Sequence, residues 1–416
     1  MEIEIITTSL EAVKRLTVSK QFLAGRTPEG SFSNKLKTVI RNIGYIQWDP
    51  VTVVAPSHLI SIWSRIGKFD WSDLNKIMWE DREVLFLWVP IAWIVLAEDY
   101  PIFHSLMKRY PDSMRKGWTS HAEFAGKFLR SHHELKQRLI EKLKEGPAKT
   151  GEFGDYGKRK KSPDGWSSGN EVTQLLFHLQ MSGEVMVAGH SANQNVWSLT
   201  EDFLPQSVER TIFPAEELER YMAIRAMRAL GAATEYEIYR YFVRGRYADV
   251  KGSLKRLVED GKVVKVAIEE LPKAKPFYLL SEDRRRLDSV MSDKWEPRLN
   301  LISPFDNMIT LRDRVQKIFN FDYILEQFVP KEKRKFGTYV LPILWDSNLV
   351  GRIDAKFDKN KKILHINGVF AESEYGKDAV IGSRLGEKVE EFAEFLDAEK
   401  VLYGKTKPEK WAKHLT

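Results

Sequence analysis

The chain of 416 residues contains no cysteine. That absence removes disulfides, thiolate zinc sites, iron–sulfur clusters and a cysteine nucleophile together, and it fits a reducing compartment. Long apolar runs are missing too: nowhere do about 18 apolar residues follow one another, and residues 1–7 lack the basic and apolar segments of a secretory leader. A cytoplasmic protein with no membrane segment is expected. The usual enzyme signatures are also absent. There is no glycine loop closed by Lys and Ser or Thr, no dinucleotide glycine fingerprint after a strand, and no His-Glu-x-x-His helix. The nine histidines are scattered, and His132 and His133 occupy consecutive helix positions that cannot face one ligand. Neither a metal nor a cofactor is expected.

What is present describes a folded, soluble chain. Hydrophobic residues at 43% and charged residues at 30% exclude disorder as an explanation of function. Lys and Arg number 65 against 58 Asp and Glu, so the +7 balance is modest and clustering carries more information than the total. Basic residues cluster at 158–161, 284–286 and 331–335, the last interrupted only by Glu332. Each run taken alone is equally well a solvated loop.

Three segments share one pattern, a helix with aliphatic spacing, a glycine just past its end, and a short apolar strand. That is the skeleton of a winged helix. The clearest copy lies in residues 217–280. There Tyr221, Ile224 and Met227 share a helix face, and Thr234 with Glu237 makes a capping box for a second helix. A third helix carries Val250, Leu254, Leu257 and Val258, and Gly261 stops it. Residues 263–268 and 276–280 then form the wing, leaving Lys251, Lys255 and Arg256 on the exposed face. The second copy starts at His132, turns at Gly146 and Pro147, begins a short helix at Thr150 and places Val172, Leu175, Leu176 and Leu179 on its third. Gly183 opens a hairpin of residues 184–188 and 195–199, and residues 151–169 are an inserted loop. In the earliest copy Leu36, Val39, Ile40 and Ile43 form the helix stripe, Gly44 ends it, and residues 45–49 form a strand closed by Pro50. Beyond residue 288 the pattern turns to strands at 339–345, 349–357 and 363–370, the first two flanking the turn Asp346-Ser347-Asn348. A last helix over 384–399 carries Leu385, Val389, Phe392 and Leu396.

The expected fold class is therefore α+β, with tandem winged-helix (helix-turn-helix) modules followed by a small C-terminal β domain. The expected boundaries are 1–105, 106–205, 206–287 and 288–416. Winged helices bind DNA through a helix in the major groove, though many dock proteins instead. Three copies with basic faces favour DNA, because nonspecific affinity comes mainly from phosphate contacts.

One pair of residues offers chemistry. Strand alternation puts Ile46 and Trp48 on one face and Gln47 and Asp49 on the other. Same-face neighbours on a strand stand about 6.5–7 Å apart, room for an amide and a carboxylate to hold one water. An exposed strand edge with a turn carboxylate before proline accounts for the same residues.

The blocks Ile46-Gln47-Trp48-Asp49, Ser57-His58 and Trp63-Ser64-Arg65-Ile66-Gly67 resemble the winged-helix DNA glycosylases of the AlkZ and YcaQ type. Those enzymes excise alkylated bases and unhook interstrand crosslinks. The resemblance continues through residues 301–307 (LISPFDN), Arg312, Arg314, Phe319, Phe321-Asp322-Tyr323, Lys333-Arg334, residues 337–342 and Gly351-Arg352-Ile353-Asp354. It implies that Gln47 and Asp49 are catalytic and that this is the Gln-x-Asp variant, which the family associates with broad crosslink unhooking. Trp48 is bulkier than the usual aliphatic residue between them. Residues 86–90 read Phe-Leu-Trp-Val-Pro where such relatives commonly carry Glu-Tyr-Trp-x-His.

On this reading the enzyme is a monofunctional glycosylase. An N7- or N3-alkylated purine leaves as a cation needing little acid help, Asp49 stabilises the oxocarbenium-like sugar and activates water, and Gln47 orients that water. Exposure at a strand edge is expected to keep Asp49 ionised unless burial raises its pKa. The candidate DNA-binding residues are Ser57, His58, Arg65, Lys158, Arg159, Lys160, Lys251, Lys255, Arg312, Arg314, Arg334, Lys335 and Arg352. Arg312 or Arg352 pairing with Asp306 or Asp354 is an equal alternative. The expected partner is double-stranded DNA with alkylated or crosslinked bases, acted on by a monomer. A transcription regulator that only binds DNA is the rival from another class, and a lysine-dependent lyase is a third reading.

Overall fold

Residues 32–43 show how local sequence builds this chain. Leu36, Val39, Ile40 and Ile43 recur at helical spacing and all four are buried, while Ser31 caps the start by accepting from the Asn34 N–H. The computed structural model describes residues 4–88, 91–112, 119–154, 171–191, 194–242, 244–292 and 294–415. Two units emerge from its contacts, one of Met1–Asp73, Ala223–Phe242 and Lys251–Thr416, the other of Leu74–Met222 and Val243–Val250.

In the first unit, the N-terminal strand β1 (Ile5–Thr8) runs into α1 (Leu10–Lys20), α2 (Phe32–Ile43), β2 (Ile46–Gln47) and α3 (Ser57–Ile66). Later in the chain come α4 (Glu235–Tyr241), α5 (Val250–Glu259), and the hairpin of β3 (Val263–Ile268) and β4 (Phe277–Leu280). The capping box is present in full, with Thr234 accepting from the Glu237 N–H and Glu237 accepting from the Thr234 N–H. The helix–hairpin order expected for residues 250–280 is likewise observed, with β3 and β4 antiparallel in the expected register region. Sequence reasoning did not foresee that β1 pairs in parallel with β3, Ile5 opposite Lys265. Partners about 260 positions apart leave no local signature. A second correction concerns the helix Ala215–Leu230: Met222, Ala223, Ala226 and Met227 are buried, whereas Tyr221 is 42% exposed. Of the expected Tyr221, Ile224 and Met227, Met227 is buried, Ile224 is half-buried and Tyr221 faces outward.

The C-terminal strands form a five-stranded sheet. Asn300–Leu301 pairs with β5 (Val340–Trp345), which pairs with β6 (Asn348–Asp358), then β7 (Ile363–Ala371), all antiparallel. A helix, Ala379–Phe395, then carries the chain over to Lys400–Thr406, which joins β7 in parallel as such a crossover permits. That helix starts five residues before the expected Arg384, because Asp378 caps it by accepting from the Val380 N–H. One apolar core joins α1, β3, β4, residues 302–325 and the β5–β6 hairpin, including Leu16, Val266, Phe277, Ile309, Phe319 and Leu344.

In the second unit, the strands Val84–Trp88 and Ala92–Leu96 pair antiparallel. Farther on, the helix Glu171–Met181 buries Val172, Leu175, Leu176 and Leu179 as its spacing predicts, and Val185–Ser191 pairs with Gln194–Leu199. Among the described residues, no helix is long and apolar enough to cross a membrane.

Candidate active site

The segment bearing Gln47 and Asp49 is delivered by α2 and held from behind. Gly44 ends α2 with φ +88, and its N–H bonds to the Ile40 carbonyl. A side chain there would be strained, and a Cβ would stand 3.2 Å from the Phe242 ring. Tyr45 is buried against Tyr241. The Tyr241 hydroxyl donates to the Ile43 carbonyl at 2.7 Å and accepts from the Asn307 amide at 2.9 Å. The entry to β2 is therefore fixed by packing and by bonds to residues far away in sequence.

The strand is shorter than expected. It comprises Ile46 and Gln47 only, so Asp49 lies beyond its end and is not placed by strand alternation. Asp49 instead folds back as an Asx turn, its Oδ1 accepting from the Val51 N–H at 2.9 Å. Gln47, Trp48 and Asp49 are all half-buried. Desolvation pushes the Asp49 pKa up, and the Val51 bond only partly opposes it. The expected strand-edge exposure is thus replaced by partial burial, and the acid is a better proton acceptor than a surface carboxylate.

Beside this segment, α3 begins at Ser57, whose Oγ contacts Ser303 Oγ, both fully buried. The Tyr339 hydroxyl lies next to both serines. Burial raises its pKa well above the phenol range, the Asp49 charge raises it further, and the serine hydroxyls act the other way. It is therefore a neutral, protonated neighbour of the carboxylate at any physiological pH. His58, the next residue of α3, stacks flat on Trp48 with ring centroids 3.9 Å apart and planes 11° from parallel.

Several expected DNA contacts are placed inside the protein, and these are corrections. Arg65 is fully buried and grips Asp306 at 2.6 and 2.8 Å, with a further bond to Gln21 at 3.0 Å. Arg314 is buried against Glu237, Thr17 and the Leu230 carbonyl. Ser57 and His58 are 0% and 3% exposed. A phosphate cannot reach these groups without displacing the partners they already hold, so they brace the fold. Asp306, foreseen as a partner of Arg312 or Arg352, is held by Arg65. Arg352 lies between the Phe321 and Phe336 rings, 4.3 Å from each, and bonds to the Asp322 carbonyl and Glu372. Arg312 covers Tyr323 at 4.3 Å and donates to the Pro304 carbonyl.

Others remain accessible. Lys251 and Lys255 are exposed on α5, Lys255 3.7 Å from Glu259. Lys335 is exposed and Arg334 half-buried, the latter donating to the Val329 carbonyl and Thr338. Their loop is tied down by Glu326, which accepts from the backbone N–H groups of Lys335, Phe336 and Gly337. Lys158, Arg159 and Lys160 lie outside the described residues. So do Val89 and Pro90. Phe86, from the same stretch, packs with Trp79 and His190.

Sequence reasoning missed Glu326, and it gave no role to Tyr339, although the block 337–342 contains it. The motif at 301–307 did signal three supporting residues, Ser303, Asp306 and Asn307, which meet Ser57, Arg65 and Tyr241 respectively. Their roles became visible only with the partners.

A family model described as DNA glycosylase AlkZ-like matches residues 40–395. The chain belongs to the AlkZ-like DNA glycosylase family. The matched span includes Gln47, Asp49, α3 and Tyr339. The fold is also similar to a solved structure, the DNA glycosylase AlkZ of Streptomyces sahachiroi. The TM-score is 0.65 at 15% sequence identity, over 96% of this chain and 100% of that one. Membership of this DNA glycosylase family implies a repair enzyme that hydrolyses N-glycosyl bonds in DNA.

Proposed function

We propose that the chain is a monofunctional DNA repair glycosylase that releases alkylated purines of the N7-alkylguanine and N3-alkyladenine type and unhooks interstrand crosslinks. The observation that carries this reading is Asp49, a half-buried carboxylate whose pKa is raised by desolvation, two residues from the Gln47 amide. A ring-alkylated purine is cationic. When the C1′–N bond breaks, its electron pair neutralises the purine, so no protein acid is required at the leaving group. The positive charge then moves to the sugar, where the Asp49 anion stabilises it. A water held by Gln47 forms the new C1′–O bond and gives its proton to Asp49, whose raised pKa suits it as acceptor.

Lys251, Lys255, Arg334 and Lys335 are the proposed phosphate contacts, being the accessible members of the candidate set. With α5 followed by the β3–β4 hairpin, residues 250–280 are proposed to act as a winged helix, α5 lying against duplex DNA. The test is incubation with duplexes carrying 7-methylguanine or a nitrogen-mustard crosslink, scoring free base and abasic sites before and after alkali, with Asp49→Asn in parallel. Base release with strand cleavage only after alkali is expected. Cleavage without alkali indicates a lyase, full activity in Asp49→Asn removes the assigned role of that residue, and binding without any release favours a DNA-binding regulator.

A further inference from the structure

We infer that Trp48 is a positioning residue, held on His58 as on a platform, and that this stack sets the direction of the Asp49 carboxylate. The inference rests on the glycosylase reading of Gln47 and Asp49. Ladder bonding ends at Gln47, and Pro50, directly after Asp49, has no N–H to give. The Asp49 side chain bonds to Val51, a member of its own turn, so that bond shapes the turn without anchoring it to the rest of the protein. Trp48 supplies an anchor. Its indole lies flat on the His58 imidazole at 3.9 Å and 11°, so the two ring faces are in direct van der Waals contact.

The platform itself is rigid. His58 is 3% exposed on the first turn of α3. At one end of α3, Ser57 meets Ser303. At the other, Arg65 is clamped to Asp306 and Gln21. Both ends of the helix are therefore tied to residues 303–306, and His58 cannot drift with the turn it supports. A chain of contacts runs from Asp306 through Arg65 and α3 to His58, and then by stacking to Trp48, the covalent neighbour of both Gln47 and Asp49. An aliphatic side chain at position 48 would fill space but offer no flat face, leaving rotation of the turn less restricted.

The test uses the full-length protein and a duplex with a single 7-methylguanine, comparing single-turnover base release with duplex affinity. Trp48→Leu is expected to slow release about 10- to 100-fold while changing duplex Kd by less than about twofold, the pattern of lost orientation. Trp48→Phe, which keeps a flat ring, is expected to recover most of that loss. His58→Ala should resemble Trp48→Leu, His58→Phe should recover, and the Trp48→Leu/His58→Ala double variant should lose little more than either single one. His58→Phe also guards against a folding defect, because it preserves buried volume. A readout independent of turnover is the emission of Trp48, taken as wild type minus Trp48→Phe. Stacking predicts a change in this difference when His58 is replaced by Ala. Wild-type release rates in Trp48→Leu, or a loss of duplex binding that matches the loss of rate, overturn the positioning role. If the wild type releases no base from methylated or crosslinked duplexes although the emission difference reports the stack, the glycosylase reading falls and this role with it.

Discussion

Arg65 holds Asp306 through two parallel N–H···O bonds of 2.6 and 2.8 Å, although 241 positions separate them and neither side chain is exposed to solvent. A charge pair in such a place stabilises mainly by being complete: its attraction offsets a desolvation cost that either ion alone could not meet. Removing one partner leaves the other charged and buried. Arg65→Met and Asp306→Leu should each cost about 3–5 kcal/mol, seen as a lowered urea midpoint, whereas the double variant should recover a large part of the loss.

The environment of Asp49 predicts opposite effects on stability and on rate. Its raised folded pKa means that the native state binds the proton more tightly than the unfolded chain does. Stability from this group therefore falls as pH rises from the ordinary carboxylate range through the folded pKa, and at neutral pH its ionised form is a burden on the fold. Asp49→Asn should raise the melting temperature at pH 7, and the gain should shrink as the pH is lowered to about 4, the ordinary carboxylate pKa. Base release by the same variant should drop by about 10²- to 10⁴-fold with little change in duplex affinity. In the wild type, release should decline as pH falls, with a midpoint above that of an exposed carboxylate, measurable in a single-turnover pH profile.

Lys251 and Lys255 are expected to contribute to DNA affinity as point charges without choosing sequence. Replacing either by Ala should weaken binding to damaged and undamaged duplexes alike, and should reduce the slope of log K against log salt by about 1 per lysine. Lys255 has Glu259 at 3.7 Å, so Glu259→Gln should strengthen binding at low salt. A titration over several salt concentrations distinguishes this from an indirect folding effect.

Gly44 sits at φ +88 with the Phe242 ring where a Cβ would go. Gly44→Ala should destabilise by more than about 1 kcal/mol, since it combines an unfavourable left-handed backbone with a contact that must give way. Because the strained residue lies three positions before Gln47, base release should also fall in the protein that remains folded. Denaturant melts and single-turnover rates at a temperature well below the transition separate the two effects.

The amino-acid sequence by itself determined features that depend on residues within a turn or two of one another. The stripe Leu36, Val39, Ile40 and Ile43 specifies α2, the stripe Val172, Leu175, Leu176 and Leu179 specifies Glu171–Met181, and Thr234 with Glu237 specifies the start of α4, all as observed. The same holds for β5, β6 and β7, whose alternation and turn residues are adjacent in the chain. The candidate pair Gln47 and Asp49 was also legible, through a short motif within the family span. Its surroundings were not. Alternation extended β2 to Asp49, but a strand lasts only as long as it has a partner, and Asp49 turns back onto the Val51 N–H. The basic residues divide in the same way. A guanidinium looks alike in sequence whether it faces phosphate or a buried carboxylate, and the choice for Arg65 and Arg314 rests on Asp306 and Glu237, brought beside them only by the tertiary fold. Only that fold placed Tyr339 beside Ser57 and Ser303 and within the field of the Asp49 charge, because desolvation and long-range electrostatics depend on what surrounds a side chain in space and not on its neighbours along the chain.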